Sequence, residues 1–229
     1  MNLTPTANGQ LFVWTDIDPA HEADFNAWYD REHMEERVAI PGMLWARRYR
    51  AHDDTARRYL AIYRTESLGT FTSDAYRAAF TRQTDWSNRN FARMGNTQRR
   101  VMAVTAEAGF GAGCAVALAE LGDATAGDEA AAARASALAA ALATRPEVLR
   151  VQLLVPDPAL STPLPSEAGT HRVMRRVLMA DTLTRAAAAE LAAELPALAG
   201  ADLHGAGAFD LIWSLDHADL SARRGDTRA

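Results

Sequence analysis

The sequence predicts an α+β fold made of two consecutive β-α-β-β-α-β units. Three observations carry this. Runs rich in aromatic and β-branched residues mark strands in both halves. Helix-starting Asp, Ser and Thr residues stand between those runs at matching places. The order of elements over residues 11–106 recurs over residues 114–215.

In the first half, residues 11–17 (LFVWTDI) read as a strand. Asp18-Pro19 starts a helix, with Asp as N-cap and Pro at the first helical position. That helix runs about twenty residues and stops before Pro41-Gly42. Residues 43–51 and 58–65 are strands joined by the polar loop 52–55. Ser73 caps a second helix reaching to about Met94, and residues 99–106 close the unit as a fourth strand. This is the ferredoxin-like order.

In the second half, residues 114–121 (CAVALAEL) form a strand, residues 128–143 an Ala-rich helix and residues 148–155 a strand. A Pro-containing loop over 156–169 leads to a strand over 172–181. A helix over 184–195 is expected to break at Pro196, and residues 207–215 are the last strand. The expected organisation is therefore a first unit over 1–108, a second over 109–217, and a polar, frayed tail over 218–229.

Composition narrows the function classes. The chain has 229 residues, 48% hydrophobic and 23% charged, with a net charge of -5. No strong pull on nucleic acid or anionic membrane follows. No apolar run approaches the length needed to span a bilayer, and the N-terminus lacks the pattern of a secretory signal. Cys114 is the only cysteine, so neither an internal disulfide nor a thiolate metal cluster forms, and a cytoplasmic location is expected. Gly109-Phe110-Gly111-Ala112-Gly113 lies between two strands and reads as a linker, not a phosphate loop. No G-x-S-x-G or HExxH motif is present. No metal and no cofactor are expected.

A ferredoxin-like unit leaves one sheet face bare, so two units in one chain are expected to pack sheet to sheet as an intramolecular α/β barrel. The space between the sheets is then the natural ligand site. By alternation Leu60 and Ile62 face the helices, whereas Tyr59, Ala61 and Tyr63 face the other sheet. Met43, Trp45, Arg47 and Tyr49 share that inner face, as do Trp14 and Asp16. Trp14, Trp45 and Tyr63 either line a ligand or fill the core.

The densest chemistry lies in Trp28-Tyr29-Asp30-Arg31-Glu32-His33-Met34-Glu35-Glu36. Ala20, Ala23, Ala27, Met34 and Val38 fall on one helical arc, suited to a close approach to the sheet. Phe25, Tyr29 and His33 are spaced i, i+4, i+8 on another side, beside Glu32 and Glu36. His33 is a candidate acid/base, with Glu36 or Glu32 orienting it and raising its pKa. Tyr29 is a candidate hydrogen-bond donor, Arg47 or Arg48 a candidate anion clamp and Asp16 a second base. The alternative is a solvated His33–Glu36 pair on the helix surface. The segment Trp86 to Asn90 reads as helix surface at the edge of any pocket, and His21, His52, His171, His204 and His217 read as solvated.

Phe25, Trp28, Tyr29, His33, Pro41, Gly42, Arg48 and Tyr49 together resemble the dimeric α/β-barrel superfamily, in particular its EthD-like branch. The motif covers about 25 residues and the element order extends the likeness over the first half. Relatives include muconolactone isomerases, cofactor-free quinone-forming monooxygenases, polyketide cyclases and haem-degrading enzymes. Most build the barrel from two subunits. The resemblance implies that this chain builds it from its own halves, as a monomer with an internal pseudo-dimer or as a homodimer. The second half has neither the aromatic pair nor the histidine, so one asymmetric site is expected, with the second half as lid and packing partner.

The expected function is cofactor-independent chemistry on a small hydrophobic, aromatic or polyketide-like molecule, by proton transfer or oxygenation. His33, Tyr29, Asp16 and Arg47 would be catalytic, and Trp14, Trp45, Tyr49, Tyr63, Phe25 and Glu36 would bind substrate. The alternative is a non-catalytic protein that binds a small molecule or serves in assembly.

Overall fold

Asp18 begins the first helical segment as the sequence predicts: its carboxylate accepts a hydrogen bond from Ala20 N at 2.8 Å, with Pro19 at the next position. In the computed structural model, which describes residues 6–53, 57–123, 128–164, 167, 172 and 174–225, this segment follows strand β1 (Gly9–Ile17). It continues as α1 (Glu22–Trp28), a π turn (Tyr29–His33) and α2 (Met34–Val38). Gly42, at φ +87°, makes the stop; a Cβ there would meet Thr70 Oγ1 at 2.7 Å, so a side chain is excluded twice over. Strands β2 (Met43–Ala51) and β3 (Tyr59–Thr65) follow.

The single helix expected after Ser73 is two: α3 (Asp74–Thr81) and α4 (Asp85–Arg93). Thr84 takes the role of a second N-cap, accepting from Ser87 N at 3.0 Å. Strand β4 (Met94–Gly109) then starts five residues earlier than expected.

The second half runs β5 (Ala115–Asp123), α5 (Glu129–Leu142), β6 (Val148–Pro156), β7 (Arg175–Thr182), α6 (Arg185–Ala199) and β8 (Leu203–Asp216). Helix α6 does not break at Pro196. The proline lies in the last turn, where Leu195 is anchored in the core, and the helix closes with Gly200 N donating to Pro196 O. Residues 218–225, expected as part of a frayed tail, belong to helix α7 (His217–Gly225), with Leu220 buried against the first half's core.

The strands close into one barrel in the order β1-β3-β2-β8-β5-β7-β6-β4, every pair antiparallel. Each half contributes one run, β4-β1-β3-β2 and β8-β5-β7-β6. The long strands make the joins. Residues 94–103 of β4 pair with β1 and residues 102–109 with β6. Residues 203–210 of β8 pair with β5 and residues 209–216 with β2.

An eight-stranded barrel is just wide enough for its own side chains to fill it. Phe12, Trp14, Tyr49, Leu60, Ile62, Met102, Leu118 and Phe209 occupy the interior. Beside this apolar layer Arg150 is paired with the fully buried Asp181, and Arg64 with Glu107. Arg47 lies 3.9 Å from Asp181 and stacks over Trp45 at 4.1 Å. The faces of β3 are therefore the reverse of those expected: Leu60 and Ile62 point inward, and Tyr59, Ala61 and Tyr63 point outward beneath the helices. Alternation defines two faces but not which is inside, so a wrong choice of face moves the whole set.

Asp181 accepts from Arg150 Nε at 2.9 Å inside the barrel. Asp181→Ala should leave Arg150 with only the more distant Glu107, at 3.7 Å, and cost about 3–5 kcal/mol in urea denaturation.

Candidate functional site

The π turn sets the site. Its wide hydrogen bond runs from Met34 N to Tyr29 O, one residue longer than an α turn. The extra residue brings Phe25, Trp28, Tyr29 and His33 onto the same buried side as Met34, Arg37 and Val38. The small-residue arc expected there turns outward in part: Ala20 and Ala23 are exposed.

His33 is buried, not on the surface. Its ring lies against Trp28 at 4.4 Å between centroids and is flanked by Tyr29, Phe91 and Tyr63 at 5.2, 5.6 and 6.2 Å. Its Nδ1 has no hydrogen-bond partner. Burial drives its pKa well below 6.5, helped by the positive charges of Arg37 and Arg48. The expected elevation by Glu32 or Glu36 does not occur. Glu32 accepts from Thr84 Oγ1 at 2.5 Å and from Ser87 Oγ at 3.4 Å, tying the π turn to α4. Glu36 is half-buried, 3.8 Å from Arg37.

Tyr29 and Tyr63 stand beside His33, their phenol pKa values raised by burial. Each is therefore a protonated donor at neutral pH. The Tyr63 hydroxyl makes no well-formed hydrogen bond and interacts only weakly with the hydroxyl of Tyr29. Arg48 stacks over Tyr29 at 4.2 Å and is held by Asp30 at 2.6 Å and Asn26 at 2.7 Å.

Tyr29, His33 and Tyr63 wall a cavity of about 600 Å³, a size usual for small-molecule sites. It lies between the outer face of β1, β3 and β4 and the helices of the first half. Leu11, Val13 and Met94 form its floor, Phe80 and Phe91 its sides. Arg37 crosses from α2 to the end of α3, donating to Ala79 O and Gln83 Oε1, each at 2.8 Å. Arg99 donates to Tyr76 Oη at 2.8 Å. Leu164, from the loop after β6, closes one end.

The expected space between the two sheets is thus a packed core, and the cavity is under the helices. Of the ten expected site residues, Tyr29, His33 and Tyr63 come together there. Phe25 is fully buried behind Tyr29 as packing, at 4.9 Å. Trp14, Trp45, Tyr49 and Arg47 belong to the barrel interior, and Glu36 lies outside the cavity. Asp16 sits at the end of β1, where burial raises its pKa but hydrogen bonds from the Arg57 and Arg58 backbone and from Asn96 outweigh it, leaving it below the usual value. It is a turn-fixing carboxylate there, not a base facing the cavity.

Sequence reasoning missed Arg37, Tyr76, Phe80, Gln83 and Arg99. Arg37 is i+4 from His33, a signal available in the spacing. Tyr76, Phe80 and Gln83 follow i, i+4, i+7 but were legible only as a helix stripe. The Trp86 to Asn90 segment is less solvated than expected. Ser87 accepts from Trp28 Nε1 at 3.0 Å, Trp86 donates to Asp24, and Asn88 lies on the cavity wall. His52 bonds Asp210 at 2.9 Å and His217 bonds Val38 O at 2.7 Å, so neither is solvated; His171 is outside the described residues.

No family model and no curated protein matches the chain. Among solved structures it is similar to an anthrone oxidase-like protein, at 10% identity over 94% of this chain and 97% of that one, with a TM-score of 0.64. It is also similar to a monooxygenase-like protein of Fusobacterium nucleatum, at 8% identity over 92% and 95%, TM-score 0.57. A third, monooxygenase-like and from Lactobacillus acidophilus, is 10% identical over 92% and 97%, TM-score 0.54. At these identities the likeness shows a shared fold.

A histidine whose folded pKa is lowered holds the native state neutral. Its contribution to stability is full above about pH 6.5 and is lost as pH falls from there towards the folded pKa. Urea titrations from pH 7.5 to 5 should show wild-type stability falling by up to about 1.4 kcal/mol more per pH unit than that of His33→Gln. Equal slopes would show that His33 protonates freely in the folded protein.

Proposed function

We propose that the chain is an enzyme that moves a proton on a small, hydrophobic aromatic or polyketide-like molecule held in this cavity, without a cofactor. One observation carries the reading: His33, neutral and with Nδ1 unpartnered, packs edge-on to the Tyr29 and Tyr63 rings on the wall of an apolar space of about 600 Å³. A neutral imidazole accepts a proton from an activated CH₂ or phenol. Tyr29 and Tyr63 donate to the substrate oxygen as it becomes negative, and Arg37 and Arg48 add positive potential.

The carbanion or phenolate so formed has two fates. Reprotonation at another atom gives isomerisation or cyclisation. Reaction with dioxygen gives oxygenation. The fold shared with an anthrone oxidase-like protein makes anthrone the first probe. Its reactive CH₂ loses two hydrogens and gains one oxygen atom, the other oxygen of O₂ leaving as water. Asp16 and Arg47 have structural roles in this reading. The matching element order of the halves supports an internal pseudo-dimer in which only the first half is catalytic.

With anthrone in air, His33→Gln should lower kcat about 10²-fold or more, read by chromatography of anthraquinone. Unchanged turnover would remove His33 from the mechanism. Without oxygen, exchange of the CH₂ protons in D₂O should persist in wild type and vanish in the variant.

Tyr63→Phe deletes a hydroxyl whose interaction within the protein is a weak one with Tyr29. It should leave thermal stability unchanged or raised, while turnover falls. A large loss of stability would mean that the hydroxyl serves packing and not substrate.

A further inference from the structure

The far wall of the cavity holds a charge that nothing in the first half answers. Arg99 on β4 is 4% exposed and lines the cavity. Among the described residues, two of its five donors are used, by Thr162 O at 2.8 Å and Tyr76 Oη at 2.8 Å, both neutral acceptors. Its guanidinium lies over Phe80 at 5.3 Å. Among the described residues no carboxylate lies within 4 Å of it. The acid in that corner, Glu167, is bonded to Arg100 at 2.6 Å and lies 3.5 Å from Arg172. A buried cation without a counter-ion is costly, and one facing an apolar cavity is relieved when a ligand brings the negative charge.

Its position relative to the reactive groups is fixed by the sheet. Tyr63 on β3 pairs with Leu11 of β1, and Arg99 on β4 pairs with Val13 of β1. The two are therefore two strands apart and two residues out of step, about 10 Å across the sheet and about 7 Å along it. Leu11 and Val13 form an apolar floor between them. That span suits a flat molecule of two or three rings with polar groups at both ends.

We infer that the substrate is an acid: an aromatic molecule with a carboxylate on Arg99 and its reacting carbon beside His33 and Tyr63. This rests on the cavity being the substrate site. Arg99 is then a specificity-determining residue. Thr162, which aims the guanidinium, and Leu164 belong to the loop after β6, so the second half completes the acid-binding end.

The test uses anthraquinone-2-carboxylate and its neutral amide, with binding to the whole protein followed by calorimetry. Wild type should bind the acid about tenfold or more tighter than the amide. Arg99→Gln should erase that preference, and Arg99→Lys should keep part of it. Equal affinities in wild type would overturn the inference whether or not the variants fold, and leave the proton-transfer reading standing. A preference that survives in Arg99→Gln would also overturn it. Failure of both probes to bind would instead remove the cavity as an aromatic site, and the proposed function with it.

Discussion

Barrel closure is the constraint from which the rest follows. Strands β4 and β8 are long enough to pair with their own half at one end and the other half at the other. The sheet therefore has no open edge, and backbone donors at both joins are satisfied within one chain. Closure at eight strands also fills the interior with side chains, ten of them large apolar groups around Phe12, Tyr49 and Met102 in a layer next to paired arginines. With the interior occupied in this way, the cavity lies outside the barrel, between sheet and helices.

Whether that outer space stays open depends on what the helices carry. In the second half, α5 and α6 are largely alanine, and Ala135, Ala139 and Ala188 sit flat on the strands. In the first half the helices stand on Trp28, Tyr29, Tyr76 and Phe80, and are braced by polar struts. Glu32 holds the π turn to α4, and Arg37 holds α2 to the end of α3. The pillars keep the helices off the sheet while the struts keep them from drifting. The same burial that makes this frame rigid strips His33 of its charge and keeps both tyrosines protonated.

Much of the fold was legible because it rests on local signals. Asp18, Ser73, Asp128 and Thr184 each cap a helix near its expected start. The site was legible only along one helix, as Tyr29 and His33. Tyr63 was found but put on the wrong face, because alternation gives two faces and not which of them is inside. Arg99 carried no signal at all: its role comes from having no acid nearby, a fact about three-dimensional neighbours. The break between α3 and α4 at Arg82–Thr84 was readable only in hindsight, since Thr84 is one polar residue among many.

The π turn at Tyr29–His33 has a consequence for how such a protein changes over time. Side chains after it are turned back by about 100° relative to a regular α-helix of the same sequence. A helix one residue shorter would reach the same alignment at regular pitch, because one inserted residue is what a π turn absorbs. The turn therefore marks where a residue can enter the helix while its aromatics, Met34, Arg37 and Val38 keep to one side. A single codon is the whole of that difference.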